Sequence, residues 1–267
     1  MNPYASSVVY GGLQYNLSDE DMLSNSKLYS YRSTPTSDDY LSRGGDTATP
    51  WRFLPGTRAE AEAVSALLSS SNVSSKLFTG AAGNEESFKS LSGNAPSIIH
   101  IATHGFYLQN KDFVSSATTG NNVRGQLQIQ KSALKRSGLI MSGANPAWTE
   151  GKLLPNVEDG ILTAEEISRL DLRNTSLAII SACDSGLGEI NNDGVEGLQR
   201  AFKSAGVNTL VVTLWKVDDA ATELMMTEFY KNLTNGQSRR TAFDSARAAV
   251  RSKFPEPYYW APFVMID

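Results

Sequence analysis

Two stretches of this chain run from a mostly apolar segment straight into a small polar turn carrying a reactive side chain. One is Leu177-Ala178-Ile179-Ile180-Ser181-Ala182-Cys183-Asp184-Ser185-Gly186 and the other is Ile98-Ile99-His100-Ile101-Ala102-Thr103-His104-Gly105. Short apolar runs rich in β-branched residues, ended by small residues and glycine, read as strands buried on both faces, the pattern of a parallel sheet. Thr57-Arg58-Ala59-Glu60 has the spacing of a capping box and predicts a helix to about Ser69. A shorter helix is expected over Glu85 to Leu91, and Thr163-Ala164-Glu165-Glu166 forms another box. Apolar residues fall at helical spacing at Val195, Leu198, Phe202 and Ala205, with Gly206 as a terminating glycine. They do so again at Ala221, Leu224, Met225, Phe229 and Leu233 behind Asp218 as N-cap, and from Ala242 to Val250. Strands alternating with helices imply an α/β fold, helices flanking a mainly parallel central sheet. Sites in such sheets form at the carboxyl ends of the strands, where His104 and Cys183 stand.

Further strands are expected at Ser7 to Tyr15, broken by Gly11-Gly12, at Arg136 to Met141, at Thr209 to Trp215 and at Phe263 to Ile266. Residues 16 to 50 are polar and aperiodic and read as a long loop, after which Trp51, Phe53 and Leu54 re-enter the core. Residues 109 to 133 read as an exposed polar loop. Arg124, Lys131, Lys135 and Arg136 make this middle region a candidate for self-cleavage. The expected division is an N-terminal strand and polar extension over 1–50 and the main domain over 51–267.

The formal net charge is −4, with 24 basic and 28 acidic residues interspersed, so there is no basic footprint for nucleic acid and no polybasic membrane patch. A single cysteine makes no intrachain disulfide and fits a reducing compartment. Met1 to Tyr15 lacks the basic and apolar regions of a leader, and no apolar run approaches the ~18 residues of a membrane span. A cytoplasmic location is expected.

A free thiol with a pKa near ~8.5 is mostly protonated at neutral pH, and a histidine alongside can take its proton and later return it to a leaving group. Taken alone, Cys183 reads as a small buried hydrophobe. Pairing it with His104 on a neighbouring strand end turns it into a nucleophile with its base. Gly105 admits close approach of a substrate carbonyl, and its N–H with that of Cys183 offers an oxyanion site. His100 lies deeper in its strand and reads as a hydrogen-bonded core histidine. Two histidines and one cysteine without compact ligand spacing give no zinc site, and no cofactor is expected. Gly186-Leu187-Gly188 lacks the third glycine of a dinucleotide loop, and no Walker-type run is present. Ser185 lacks the flanking glycines of a hydrolase elbow.

Taken in order, His100-Ile101-Ala102-Thr103-His104-Gly105-Phe106, Ser181-Ala182-Cys183-Asp184-Ser185-Gly186, Gly194-Val195-Glu196-Gly197-Leu198, Leu214-Trp215-Lys216-Val217-Asp218-Asp219 and Pro257-Tyr258-Tyr259-Trp260-Ala261-Pro262-Phe263 resemble a CHAT domain. The resemblance covers about residues 51 to 267. It implies a caspase-like three-layer sandwich related to separases, a His104–Cys183 dyad and peptide-bond hydrolysis through an acyl-enzyme. It also implies a protein or peptide substrate and association with a tetratricopeptide-repeat module. Glu158-Asp159-Gly160-Ile161-Leu162-Thr163 fits the family pattern without a mechanistic role. In the separase-like relatives an acidic residue of the Trp-x-Val-x-Asp motif contacts the P1 side chain. Asp219 holds that place, so the resemblance implies a basic P1 residue met by Asp219, with Trp215 and Asp218 beside it. The same two aspartates are also placed to cap the following helix. The rival expectation is an interaction module of the same fold in which the dyad is idle.

Overall fold

A computed structural model describes residues 4–29, 49–107, 133–182, 192–215 and 218–267. Its centre is a six-stranded sheet of β1 (Ser6–Leu13), β2 (Ser74–Gly80), β3 (Ile98–Ala102), β7 (Leu177–Ser181), β8 (Thr209–Thr213) and β9 (Phe263–Ile266), in the order β2-β1-β3-β7-β8-β9. All pairs are parallel except β8 with β9. Three short strands, β4 (Gly105–Tyr107), β5 (Ser137–Ile140) and β6 (Ile161–Thr163), form a separate antiparallel sheet that begins directly after β3.

The helices are α1 (Asp19–Ser26), α2 (Pro55–Ser70), α3 (Glu85–Lys89), α4 (Ala133–Arg136), α5 (Ala144–Glu150) and α6 (Ala164–Ser168), followed by α7 (Asn192–Ser204), α8 (Asp219–Thr234), α9 (Arg239–Lys253) and α10 (Pro257–Trp260). The two-residue period of the strands divides them between two cores. Ile98, Leu177, Ile179 and Val211 face α2, α8 and α9. Ile99, Ile101, Ala178, Ile180, Leu210 and Val212 face the other way, onto α3, α6, α7 and the small sheet. A fully buried side chain of this size contributes about 1.5–3 kcal/mol over leaving it in water. The long apolar runs are therefore strands with a hydrophobic layer on each side, the expected mainly parallel sheet flanked by helices.

Four sequence expectations are corrected. Residues 16 to 50 are not wholly loop, because Ser18 accepts a hydrogen bond from the Asp21 amide and starts α1. Thr57 is not an N-cap: α2 begins two residues earlier, at Pro55, whose missing N–H costs nothing in a first turn. The Thr57 hydroxyl instead donates to the Leu54 carbonyl and accepts from the Gly12 amide, tying α2 to β1. Phe53 stays 46% exposed rather than entering the core. Arg136 is buried, donating to the Tyr107 hydroxyl, so it does not belong to an exposed loop. The middle loop itself, with Arg124 and Lys131, lies outside the described residues. The box at Thr163 is present in full, with Thr163 and Glu166 each bonding the other's backbone amide.

Candidate active site

The strand order places the site. Beginning at β1, the chain adds β2 on one side and β3, β7 and β8 on the other, so the order reverses between β1 and β3 and opens a crevice at their carboxyl ends. Tyr15, just past β1, meets His104, just past β3, with ring centroids 5.1 Å apart.

Residues on both sides of His104 are fixed. The Thr103 hydroxyl donates to the Ile140 carbonyl at 2.6 Å and therefore accepts from the Tyr15 hydroxyl at 2.9 Å. The His104 carbonyl accepts from the Ile140 amide. The imidazole is held in turn by the segment leading into α2. Its Nε2 lies 2.8 Å from the Arg52 carbonyl, and the Trp51 ring packs against it at 4.9 Å. A carbonyl only accepts, so Nε2 carries the proton of the neutral ring and Nδ1 holds the lone pair.

The carbonyl is itself aimed. Asn145, buried on α5, accepts from the Trp51 amide at 2.8 Å and donates to the Trp51 carbonyl at 3.0 Å, gripping that residue's backbone from both sides. Trp148 of the same helix packs on the Trp51 ring. Sequence reasoning missed Trp51, Arg52 and Asn145, because a backbone carbonyl leaves no residue-type signal and the amide that aims it lies far along the chain.

β3 and β7 are adjacent and parallel, with Ala102 opposite Ser181. His104 follows Ala102 by two positions, and Cys183 follows Ser181 by two. Cys183 lies outside the described residues. Gly105 is packed so close to the approach to it that an added Cβ would sit 3.0 Å from the Ala182 carbonyl oxygen. Only a bare backbone passes there without displacement.

Beside this rim lies a cavity of about 250 Å³ between the amino ends of α2 and α8 and the carboxyl ends of β3, β7 and β8. Gly56, Glu60, Thr103, Ser181, Trp215 and Asp219 contribute to its wall. Asp219 and Trp215 thus share one cavity. Asp218 is spent on the helix: its carboxylate accepts from the Ala220 and Ala221 amides. The lack of a side chain at Gly56 makes room for the Asp219 carboxylate, since a Cβ there would sit 2.4 Å from one of its oxygens.

His100 is fully buried, with Nδ1 3.2 Å from the Tyr230 hydroxyl and Nε2 3.2 Å from Glu60 Oε1. It is the core histidine the sequence implied. Tyr230 is held well above the ordinary phenol range by burial, and Glu60 adds to the effect.

The Glu158-Asp159-Gly160 segment anchors the opposite side of the small sheet. Glu86 and Glu85 of α3 accept from the Glu158 and Gly160 amides. Carboxylate oxygens of Glu85, Glu158 and Glu166 converge, and the cation among them is the Lys89 ammonium, 2.6, 2.9 and 2.8 Å from them respectively.

A family model for the CHAT domain matches residues 23–267, and the chain belongs to that family. Tetratricopeptide repeat protein 28 of Mus musculus is 27% identical over 220 residues, and the human protein of the same name 26% identical over 219. Each alignment covers 81% of this chain but only 9% and 8% of those relatives, so the chain spans less than a tenth of their length. Among solved structures, the Arg-specific cysteine proteinase gingipain R is similar at a TM-score of 0.45 and 10% identity, covering 92% of this chain and 50% of that one. Protein GSU0716 of Geobacter sulfurreducens is similar at 0.43 and 11%, covering 99% and 92%.

Proposed function

We propose that this chain is a cysteine endopeptidase in which His104 is the base and Cys183 the nucleophile. The observation that carries the reading is the fixed orientation of His104. With Nε2–H given to the Arg52 carbonyl, Nδ1 is the acceptor, at the end of a strand paired in register with the one that leads to Cys183. In the proposed reaction the Cys183 thiol gives its proton to Nδ1 and the sulfur attacks the scissile carbonyl carbon. The carbon–nitrogen bond breaks as His104 returns the proton to the leaving amine, leaving a thioester. A water, deprotonated by His104, then attacks the thioester, releasing the carboxylic acid and restoring the thiol. The amides of Gly105 and Cys183 stabilise the oxyanion in both halves.

The cavity holding Asp219 receives the P1 side chain, and a carboxylate there favours a basic residue. Trp215 supplies an apolar wall. The substrates are proteins or peptides in the cytoplasm, and the peptidase is governed by a tetratricopeptide-repeat module, as the names of the relatives support. The test is substrate profiling with a peptide library. Wild type is expected to cleave after Arg or Lys and Cys183→Ala not at all, with both proteins equally folded by circular dichroism. Equal cleavage by the variant would overturn the assignment.

A further inference from the structure

The cavity beside the site contains a second carboxylate, Glu60, whose Thr-x-x-Glu spacing also fits a helix cap. Glu60 is 6% exposed, sits one turn into α2 and reaches the cavity wall. Its Oε2 accepts from the Ser181 hydroxyl at 3.2 Å. Its Oε1 is 3.2 Å from His100 Nε2, yet neither atom makes an aligned hydrogen bond. That oxygen is shut in against His100, so the acceptor left to an incoming group is Oε2, whose second lone pair Ser181 does not use.

The hydroxyls nearby are already committed. Thr57 donates to the Leu54 carbonyl, Ser181 to Glu60 and Thr222 to the Asp218 carbonyl. Among the described lining residues there is no lysine or arginine. The cavity therefore offers an incoming group two anionic acceptors, Asp219 exposed on the α8 turn and Glu60 buried on the wall. At about 250 Å³ it is smaller than the ~300–1,000 Å³ typical of sites for whole small molecules, and suits a single side chain.

Resting on the peptidase reading above, we propose that Glu60 is a specificity-determining residue and that the cavity takes a guanidinium in preference to an ammonium. A planar guanidinium presents five N–H donors fanned in one plane and reaches two carboxylates from different sides, whereas an ammonium is a compact point charge. Glu60 also accepts the hydrogen bond of the Ser181 hydroxyl, two residues before Cys183. The residue that reads the substrate is bonded to the strand that presents the nucleophile.

The experiment measures binding of butylguanidine, butylamine and neutral butylurea by calorimetry to wild type, Glu60→Gln and Asp219→Asn. Wild type is expected to bind butylguanidine about tenfold more tightly than butylamine, and butylurea least. Glu60→Gln keeps shape and the bond to Ser181 and should largely erase the guanidinium preference. Asp219→Asn should weaken both cations together. In wild type, the amide resonances of Glu60, Ser181 and Asp219 should shift on adding butylguanidine, a readout that does not depend on any variant folding. Butylguanidine binding that is the same in Glu60→Gln as in wild type would overturn the role of Glu60 while leaving a basic pocket at Asp219. No binding to wild type would overturn the pocket altogether, leaving the Cys183–His104 reading to thiol labelling, which does not need it.

Discussion

Single residues decide how the proposed base, His104, is aimed. Asn145 grips both sides of the Trp51 backbone and so sets where the Arg52 carbonyl meets His104 Nε2. Asn145→Leu keeps volume and removes the grip, and should lower kcat about 10- to 100-fold, as small misplacements of catalytic groups do. A pH–rate profile separates positioning from general destabilisation: the limb belonging to His104 should move, and an unmoved profile with reduced amplitude would mean simple loss of folded protein. Gly56→Ala tests the pocket at the same scale. Its new methyl would displace the Asp219 carboxylate, so KM for peptides with a basic P1 should rise about tenfold with kcat nearly unchanged. The places of His104 past a strand end and of Asp219 at a helix start were legible in the sequence, because a polar residue that ends an apolar run or opens a helix announces itself. The Arg52 carbonyl and the inward aim of Glu60 were not, since backbone groups carry no residue code and a Thr-x-x-Glu spacing reads equally as a cap.

At the level of elements, α3 is a short helix held by buried charge. Burial by itself lowers the affinity of Lys89 for its proton, but Glu85, Glu166 and Glu158 outweigh it and hold the ammonium above the ordinary lysine range. Lys89→Met would strand three carboxylates against one another and should cost about 3–5 kcal/mol by denaturant unfolding. Burial pushes the Glu85 carboxyl well above its usual range, against the pull of Lys89. A carboxyl raised on folding contributes stability below its unfolded pKa of about 4.3 and loses it as pH climbs through the folded value. The melting temperature of wild type should thus decline on the neutral side of about 4.3, and Glu85→Gln should flatten that decline. An identical slope in the variant would show that Glu85 does not carry it. The sequence revealed the buried strands β3, β7 and β8 and the apolar stripe of α8, because their burial is written as residue type. It did not reveal β2, an edge strand with a largely polar Ser74–Gly80 run, whose position depends on pairing with β1.

For the whole molecule, the strand that precedes residue 51 is an interior part of the sheet. β1 lies between β2 and β3 with Val8, Val9, Tyr10 and Leu13 buried. At about 1.5–3 kcal/mol per side chain, removing it forfeits an amount comparable to the full stability of a domain, about 5–15 kcal/mol. A chain lacking residues 1–13 should lose cooperative melting, and a cooperative transition unchanged from the intact chain would show that the sheet is complete without β1. The sheet order is also what makes the site, since the reversal between β1 and β3 brings Tyr15 to His104 and leaves the carboxyl ends of β3, β7 and β8 around one cavity. The proposed activation of Cys183 by His104 for acyl transfer has a direct readout. It is tested most directly by intact-mass measurement after incubation at neutral pH with a peptidyl acyloxymethyl ketone bearing arginine. A single adduct on Cys183 is expected, absent in Cys183→Ala and formed far more slowly in His104→Ala. Absence of an adduct in the folded wild type, or equal rates with and without His104, would contradict it and favour an interaction module with an idle dyad.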